Sequence, residues 1–182
     1  DIYNSIFVRH VQPYIKLIIF ILYESLLASI MPIFKPDEFL LNILPKKRLL
    51  GIDHGTKTLG IAISNSDMTV ASPIKTIKRD KLTSDLSKLI SIVDDYDITG
   101  LVMGWPLNMD GSVGPRCDSV RDFTNSVLKK RDLPVLLQDE RMSTMAIEKP
   151  MITEDMTRKQ RSLRTDKLAA CWILQTALDV LK

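Results

Sequence analysis

The chain has 182 residues, of which 45% are hydrophobic and 26% charged, and its formal net charge is +3. This length accommodates one ordinary domain with an extension, and the composition is that of a globular protein. Two cysteines and two histidines disfavour a disulfide framework, a histidine-rich metal site and a Ser-His-Asp triad, and they are typical of a protein from a reducing cytosol. Catalysis is therefore expected to depend on carboxylates.

Residues 1–45 are predicted to form a hydrophobic extension that precedes the domain. The apolar run at 17–23 is nearly continued by 26–34, but Glu24 interrupts the window that a membrane span would need. The small-residue cleavage site of a secretory signal is missing from it. Since Met31 offers an alternative start, three interpretations stay open for this extension: a non-native or dispensable leader, a packed or partner helix, and a membrane anchor.

Residues 46–182 are predicted to form an α/β domain. Thr83 or Ser84 is expected to cap its first helix. The order of elements predicts a mixed sheet, with an antiparallel hairpin and parallel inner strands, flanked by helices. The predicted elements are strands at 49–53, 59–64 and 71–79, a helix from residue 82, a strand at 100–104, a helix around 120–127, a strand at 134–138, a short helix at 154–163 and a helix at 165–181.

Acidic residues stand at the ends of three predicted elements. Asp53 ends the first strand, Asp139 and Glu140 follow the last strand, and Asp166 lies in the first turn of the last helix. They can meet because the carboxyl ends of parallel strands line one edge of an open sheet. An oxygen-only cluster suits Mg²⁺ or Mn²⁺, and two such ions can promote phosphodiester cleavage. The alternatives are a helix-dipole role for Asp166 and a surface ion-pair cluster formed by residues 139–141.

Basic residues crowd the stretch just before the last helix and indicate a nucleic-acid partner. Such a stretch is ordinary on a solvated face, but beside a metal cluster it suits a loop that grips a phosphate backbone. Trp105 follows a buried strand, where it could stack a base or simply pack against its neighbours. The candidates for nucleic-acid contact are Lys57, Trp105, Asn108, Arg116, Arg141, Arg158, Lys159, Arg161 and Arg164.

Four stretches in the domain carry a family resemblance, namely GIDHGTKTLGIAIS, LVMGWPLNMDGSVGPR, LLQDERMST and TDKLAACWILQTALD. Together they resemble the YqgF/RuvX family of ribonuclease-H-like nucleases across residues 46–182. The resemblance implies a ribonuclease-H-like fold, a cytoplasmic bacterial protein and divalent-metal-dependent hydrolysis of phosphodiesters. The implied role is processing of the 5′ end of precursor 16S rRNA during ribosome assembly.

The resemblance also assigns the acids. It matches Asp53 and Asp166 to the acids of the first strand and last helix, and it places the middle acid at Asp139 or Glu140. Successive strand residues face opposite sides of a sheet, so only one of the two should face the metals, and Glu140 is favoured. His54 and Trp105 depart from the residues usual in the family, which leaves the metal ligands intact but puts substrate contacts in question.

The leading hypothesis is thus a metal-dependent nuclease acting on structured RNA, with ribosomal precursor particles as partners. Four-way DNA junctions are the other substrate class, and a junction resolvase would be a homodimer where an RNA trimmer can be a monomer. A non-catalytic nucleic-acid-binding module is the second hypothesis. The IDHGT turn also resembles actin-like phosphotransferases, but those enzymes need two lobes and a second phosphate loop, which this sequence does not offer.

Overall fold

The computed structural model describes residues 33–141 and 158–182, with side chains of the last helix from Lys167 onward. The interpretations of residues 1–32, including the start at Met31, lie outside this part of the chain. The described elements are β1 (Ile33–Phe34), α1 (Pro36–Asn42), β2 (Arg48–His54), β3 (Thr58–Ser64), β4 (Ala71–Lys78), α2 (Leu82–Asp95), β5 (Ile98–Trp105), α3 (Pro115–Leu128), β6 (Val135–Asp139) and α4 (Arg158–Val180). None of the described helices is long and apolar enough to cross a membrane.

The six described strands form one mixed sheet in the order β1-β6-β5-β2-β3-β4. β3 runs antiparallel to β2 and β4, whereas β2 and β5, β5 and β6, and β1 and β6 are parallel pairs. The carboxyl ends of β2, β5 and β6 therefore lie side by side at one edge. This arrangement confirms the predicted α/β class, with a hairpin beside parallel strands.

Helices cover both faces of the sheet because the strands alternate between two apolar cores. Leu50 and Ile52 of β2 pack with α2 and α3 on one face, while Leu49 packs with α4 on the other. On the α4 face the helix comes unusually close at Gly51. A Cβ at that position would lie 2.6 Å from Leu174 Cβ and 2.9 Å from the carbonyl oxygen of Ala170. The glycine thus lets α4 rest directly on the backbone of β2.

The sheet begins earlier than the boundary predicted at residue 46. The compact unit that contains it starts at Ile33, where β1 pairs with β6. Phe39 of α1 is fully buried, and a Cβ at Gly100 would meet its ring at 2.8 Å. A strand of two residues and a helix of seven are too short to show a period in the sequence, and they follow directly on the apolar extension.

Two helix starts also differ from the prediction. α2 has Lys81 at its N-cap and no side-chain cap, so the prediction of Thr83 or Ser84 as the cap is wrong. Asp85 of the first turn accepts a hydrogen bond from the backbone N–H of Asp80 instead, at 3.2 Å. α4 runs without a break from Arg158, whereas the sequence predicted a short helix at 154–163 and a separate helix from residue 165. The polar first turns show no apolar period that would join the two, and residues 154–157 lie outside the described part of the chain.

Candidate active site

The first acid, Asp53, lies near the carboxyl end of β2 between β3 and β5. It is half-buried and pairs in register with Gly60 of β3. Its face follows from strand alternation, because Leu49 and Gly51 both contact the α4 side. Asp53 is the next residue in that series. The predicted acid therefore faces α4 at the edge where the parallel strands end.

Glu140 reaches the same edge from β6. Its backbone N–H donates to the carbonyl of Trp105 at 3.3 Å, which ties it to the end of β5. A Cβ at Gly104 would lie 2.9 Å from Glu140 Oε2 and 2.7 Å from Ile173 Cδ1. The Glu140 carboxylate thus occupies space that Gly104 leaves free beneath α4.

Asp53 and Glu140 interact electrostatically. Burial, followed by the negative charge of Asp53, raises the pKa of Glu140 to about 7, and the positive charge of Arg116 opposes this rise. A carboxylate whose ionisation is disfavoured by burial and by a neighbouring carboxylate forms an arrangement that a cation relieves. The pair therefore has the donor chemistry and the electrostatics of a divalent-metal site.

Asp139 is arranged differently from its neighbour. Arg141 holds its carboxylate through Nε at 2.8 Å and through a terminal nitrogen at 2.7 Å. These hydrogen bonds hold the pKa of Asp139 below its ordinary value. The structure therefore brings Glu140 to Asp53 and places Asp139 in an ion pair at the surface, which was the alternative for this residue.

Asp166 belongs to α4, four positions before Ala170, and its side chain is not among those described. The direction of the helix can be read from Cys171, whose Sγ donates to Ala71 at 3.4 Å, and from Gln175, whose Nε2 donates to Thr69 at 3.1 Å. These contacts lie at the sheet edge where β2 begins. α4 therefore runs away from the edge that holds Asp53, and the turn with Asp166 is on the active-site side of Ala170.

The candidates for nucleic-acid contact differ in their surroundings. Lys57 and Arg116 are exposed, and Arg116 lies in the first turn of α3. The Arg121 guanidinium lies over the Trp105 ring, with 5.6 Å between its Cζ atom and the ring centroid. Trp105 therefore packs against a neighbour, as the second interpretation of this residue predicts. Asn108 organises its own loop, donating from Nδ2 to Ser112 Oγ at 2.8 Å.

The remaining candidates are Arg141, which belongs to an ion pair, and four basic residues of the first turns of α4. Arg141 pairs with Asp139 and also approaches the loop at Gly111, where a Cβ would lie 3.5 Å from a terminal guanidinium nitrogen. The side chains of the other candidates lie outside the described part; these are Arg158, Lys159, Arg161 and Arg164.

The family model described as "RuvX: Holliday junction resolvase" matches residues 47–180. The chain belongs to the RuvX family. A relative from Paramagnetospirillum magneticum is 45% identical over 149 residues, which cover 82% of this chain and 96% of the relative. One from Rhodospirillum rubrum is 47% identical over 152 residues, with coverage of 83% and 94%.

Both relatives carry the name "Putative pre-16S rRNA nuclease". Among solved structures, RuvC of T. thermophilus in complex with a Holliday junction substrate is 11% identical, covers 70% of this chain and 91% of that chain, and superposes with a TM-score of 0.47. Membership of the RuvX family rests on the sequence matches.

A family of nucleases implies a divalent metal, and the described donors fit one. Asp53 and Glu140 offer oxygen ligands only, the set that Mg²⁺ and Mn²⁺ prefer. Within the described side chains no group of three or more His, Cys, Asp or Glu residues is arranged to hold a metal ion. The third acid that the RuvX resemblance assigns, Asp166, lies outside those side chains.

Sequence reasoning missed a polar cluster on the opposite face of β2. His54 is 7% exposed, and its ring centroid lies 4.7 Å from that of Phe123. Burial, followed by the charges of Arg79 and Arg116, lowers the pKa of His54 to about 4. Arg79 donates to the Gly55 carbonyl at 3.0 Å. The signal was available, since the alternation that points Asp53 toward α4 points His54 the other way.

Proposed function

We propose that this member of the RuvX family is a cytoplasmic, Mg²⁺- or Mn²⁺-dependent endonuclease that processes the 5′ end of precursor 16S rRNA. The observation that carries the proposal is the meeting of Asp53 with Glu140 beneath α4, where burial and mutual repulsion prepare two carboxylates for a cation. The names of the curated relatives support RNA as the substrate. Ribosomal precursor particles would then be the physiological partners.

Each residue has a defined task in this reaction. Asp53 and Glu140, with Asp166 from α4, would hold the metal, which when bound supplies an activated water and stabilises the leaving oxygen. Gly104 leaves room for the Glu140 carboxylate, and Ile173 forms an apolar wall behind it. Arg116 is exposed and its charge reaches Glu140, so it is placed to bind the phosphate that approaches the acids.

The second candidate is resolution of four-way DNA junctions, which the description of the matching family favours. Resolution requires two active sites that cut symmetrically and hence a homodimer, whereas trimming of a 5′ end requires one site. A non-catalytic nucleic-acid-binding module is the third candidate. It predicts salt-dependent binding that needs neither metal nor Asp53.

The test uses the full chain, its Asp53→Asn variant and an Asp139→Asn control. The control removes a carboxylate of the same type from the neighbouring ion pair. Each protein is incubated with Mg²⁺ or Mn²⁺ and either a labelled precursor 16S 5′-end RNA or a four-way DNA junction, with chelator in parallel. We expect the wild type and Asp139→Asn to cut the RNA, and Asp53→Asn and the chelated samples to be inactive.

The other outcomes separate the candidates. Symmetric cuts in the junction, with the RNA left intact, would establish the resolvase. Binding of RNA without cleavage by any of the proteins would establish the binding module. Equal cleavage by the wild type and Asp53→Asn would show that the acid pair is not the catalytic centre.

A further inference from the structure

A cavity of about 430 Å³ lies on the face of the sheet opposite to the acid pair, between the end of β4 and the flank of α3. His54 and Phe123 are its most deeply buried lining residues, at 7% and 3% exposure. Arg79, Ser119 and Asp122 also line it. The cavity thus joins an aromatic wall to several hydrogen-bonding groups, a combination found in sites for small polar ring systems.

The charges around the cavity favour a neutral ligand over a phosphate. The Arg79 guanidinium is already compensated, because its Nε lies 3.5 Å from the fully buried carboxylate of Asp85. Asp122 adds a negative charge at the exposed side of the cavity. A phosphate would meet this carboxylate, whereas a ring that carries N–H groups could donate hydrogen bonds to it.

His54 brings a polar atom to the buried side of the cavity. The Nε2 of His54 is buried and has no hydrogen-bond partner among the described residues. Buried polar atoms without a partner are uncommon in folded proteins, and a ligand or a water often completes them. The wall beside His54 is therefore a place where a hydrogen-bonding occupant would add stability.

One residue that lines the cavity, His54, is the sequence neighbour of an acid of the pair, Asp53. Asp53 and His54 are consecutive residues of β2 and face opposite sides of the sheet. The charge of Arg116 lowers the pKa of both Glu140 and His54, so this exposed cation stands near both places. A phosphate bound by Arg116 would therefore lie near both the acid pair and the cavity wall at His54.

We propose that this cavity receives one nucleobase of the strand that is cut at Asp53 and Glu140, and that it prefers a base with an amino group, which donates to Asp122. Phe123 supplies the apolar wall and Arg79 a hydrogen-bond donor for a ring nitrogen or carbonyl. The inference rests on the proposed nuclease function, to which it adds a site for base selection. Guanine, with N–H donors beside a carbonyl acceptor, matches these groups best.

The test measures RNA binding by the full-length Asp53→Asn protein in chelator, so that no cleavage interferes. The ligands are labelled single-stranded RNAs in which one abasic residue is moved stepwise along the sequence. Ser119→Trp is added to fill the cavity from an exposed position of α3. Ser87→Trp is the matched control, since Ser87 is also an exposed helical serine but does not line the cavity.

We expect one abasic position to weaken binding on the order of tenfold, the usual effect of losing one bound base. Ser119→Trp should weaken binding of the intact RNA by a similar factor and remove the dependence on that position, while Ser87→Trp should change neither. Asp122→Asn should reduce the preference for guanine over uracil at that position. Equal affinities across the abasic series, or equal effects of the two tryptophans, would overturn the proposal.

The nuclease function and the base cavity can fail separately. If the wild-type chain cuts RNA but the abasic series is flat, the cavity assignment is wrong and the nuclease function stands. If one abasic position matters and Ser119→Trp removes its effect, but the wild type cuts nothing, the cavity binds a base and the nuclease function is wrong.

Discussion

Gly104→Ala tests whether the position of the Glu140 carboxylate limits catalysis. The added methyl group would lie 2.9 Å from Glu140 Oε2 and 2.7 Å from Ile173 Cδ1, whereas ordinary contacts begin at 3.4 Å. The carboxylate must therefore move by about 0.5 Å or more. Both contacts involve the far ends of flexible side chains, so we expect overpacking to cost only about 1 kcal/mol of unfolding free energy. A misplacement of about 1 Å can cost about 100-fold in rate, so a shift of about 0.5 Å should lower the cleavage rate on the order of tenfold.

The control is Gly100→Ala, at the other end of the same strand. Its methyl group would lie 2.8 Å from Phe39 Cζ and 3.0 Å from Ile43 Cγ2, in a part of the core that is fixed by a buried ring. We expect it to lose at least as much stability as Gly104→Ala, about 1–3 kcal/mol, and to keep its cleavage rate.

Urea denaturation gives the stabilities, and single-turnover cleavage of the precursor RNA gives the rates. If the two variants lose activity in proportion to stability, or if Gly104→Ala is fully active, the reasoning about Glu140 is refuted.

Two further predictions concern stability. Without metal, the contribution of Glu140 to the free energy of unfolding is fully present below pH 4.5 and is lost as the pH rises toward 7. The contribution of His54 has the opposite dependence: it is fully present above pH 6.5 and is lost as the pH falls toward 4. The opposed slopes should leave the wild type nearly flat between pH 4.5 and 6.5, and Glu140→Gln should become more stable as the pH rises across that window; a falling thermal midpoint would contradict this. Asp85→Ala should lose about 3–5 kcal/mol, because the partly buried Arg79 guanidinium loses its counter-charge and the backbone N–H of Asp80 loses its acceptor. Asp94→Ala, which breaks an exposed ion pair, should lose less than about 1 kcal/mol in the same urea titration; similar losses would contradict the account of Asp85.

The sequence predicted the long elements well because each carries a repeated physical pattern. The apolar periods of α2 and α3, and the apolar runs of β2 and β5, require burial and leave little choice of structure. β1 and α1 lack such a pattern, since a two-residue strand contains no alternation. The continuity of α4 with the short helix predicted before it was missed for a related reason, because its first turns carry charges rather than an apolar stripe.

The choice between Asp139 and Glu140 shows where sequence reasoning stops. Strand alternation required that only one of them face the acid at Asp53. It could not say which, because β6 is apolar on both faces: Val135 packs toward α2 and α3, and Leu136 toward α4. Which residues of β6 face α4 is known only from the packing of the helices on the sheet.

Contacts between distant elements were likewise beyond the sequence. Trp105 at the end of β5 contacts Arg121 of α3. Arg79, which directly follows β4, forms an ion pair with Asp85 of α2. No spacing rule connects such residues, whereas the hairpin and the buried strands follow from neighbours along the chain.

The close packing of α4 against Gly51 limits where insertions can be tolerated in this chain. The contact of Ala170 and Leu174 with the β2 backbone fixes the helix at one point, so everything before that point is located by counting residues. One residue inserted between positions 166 and 170 would turn position 166 by about 100° around the helix axis and shift it by about 1.5 Å. We therefore expect natural or engineered insertions to be harmful within this turn.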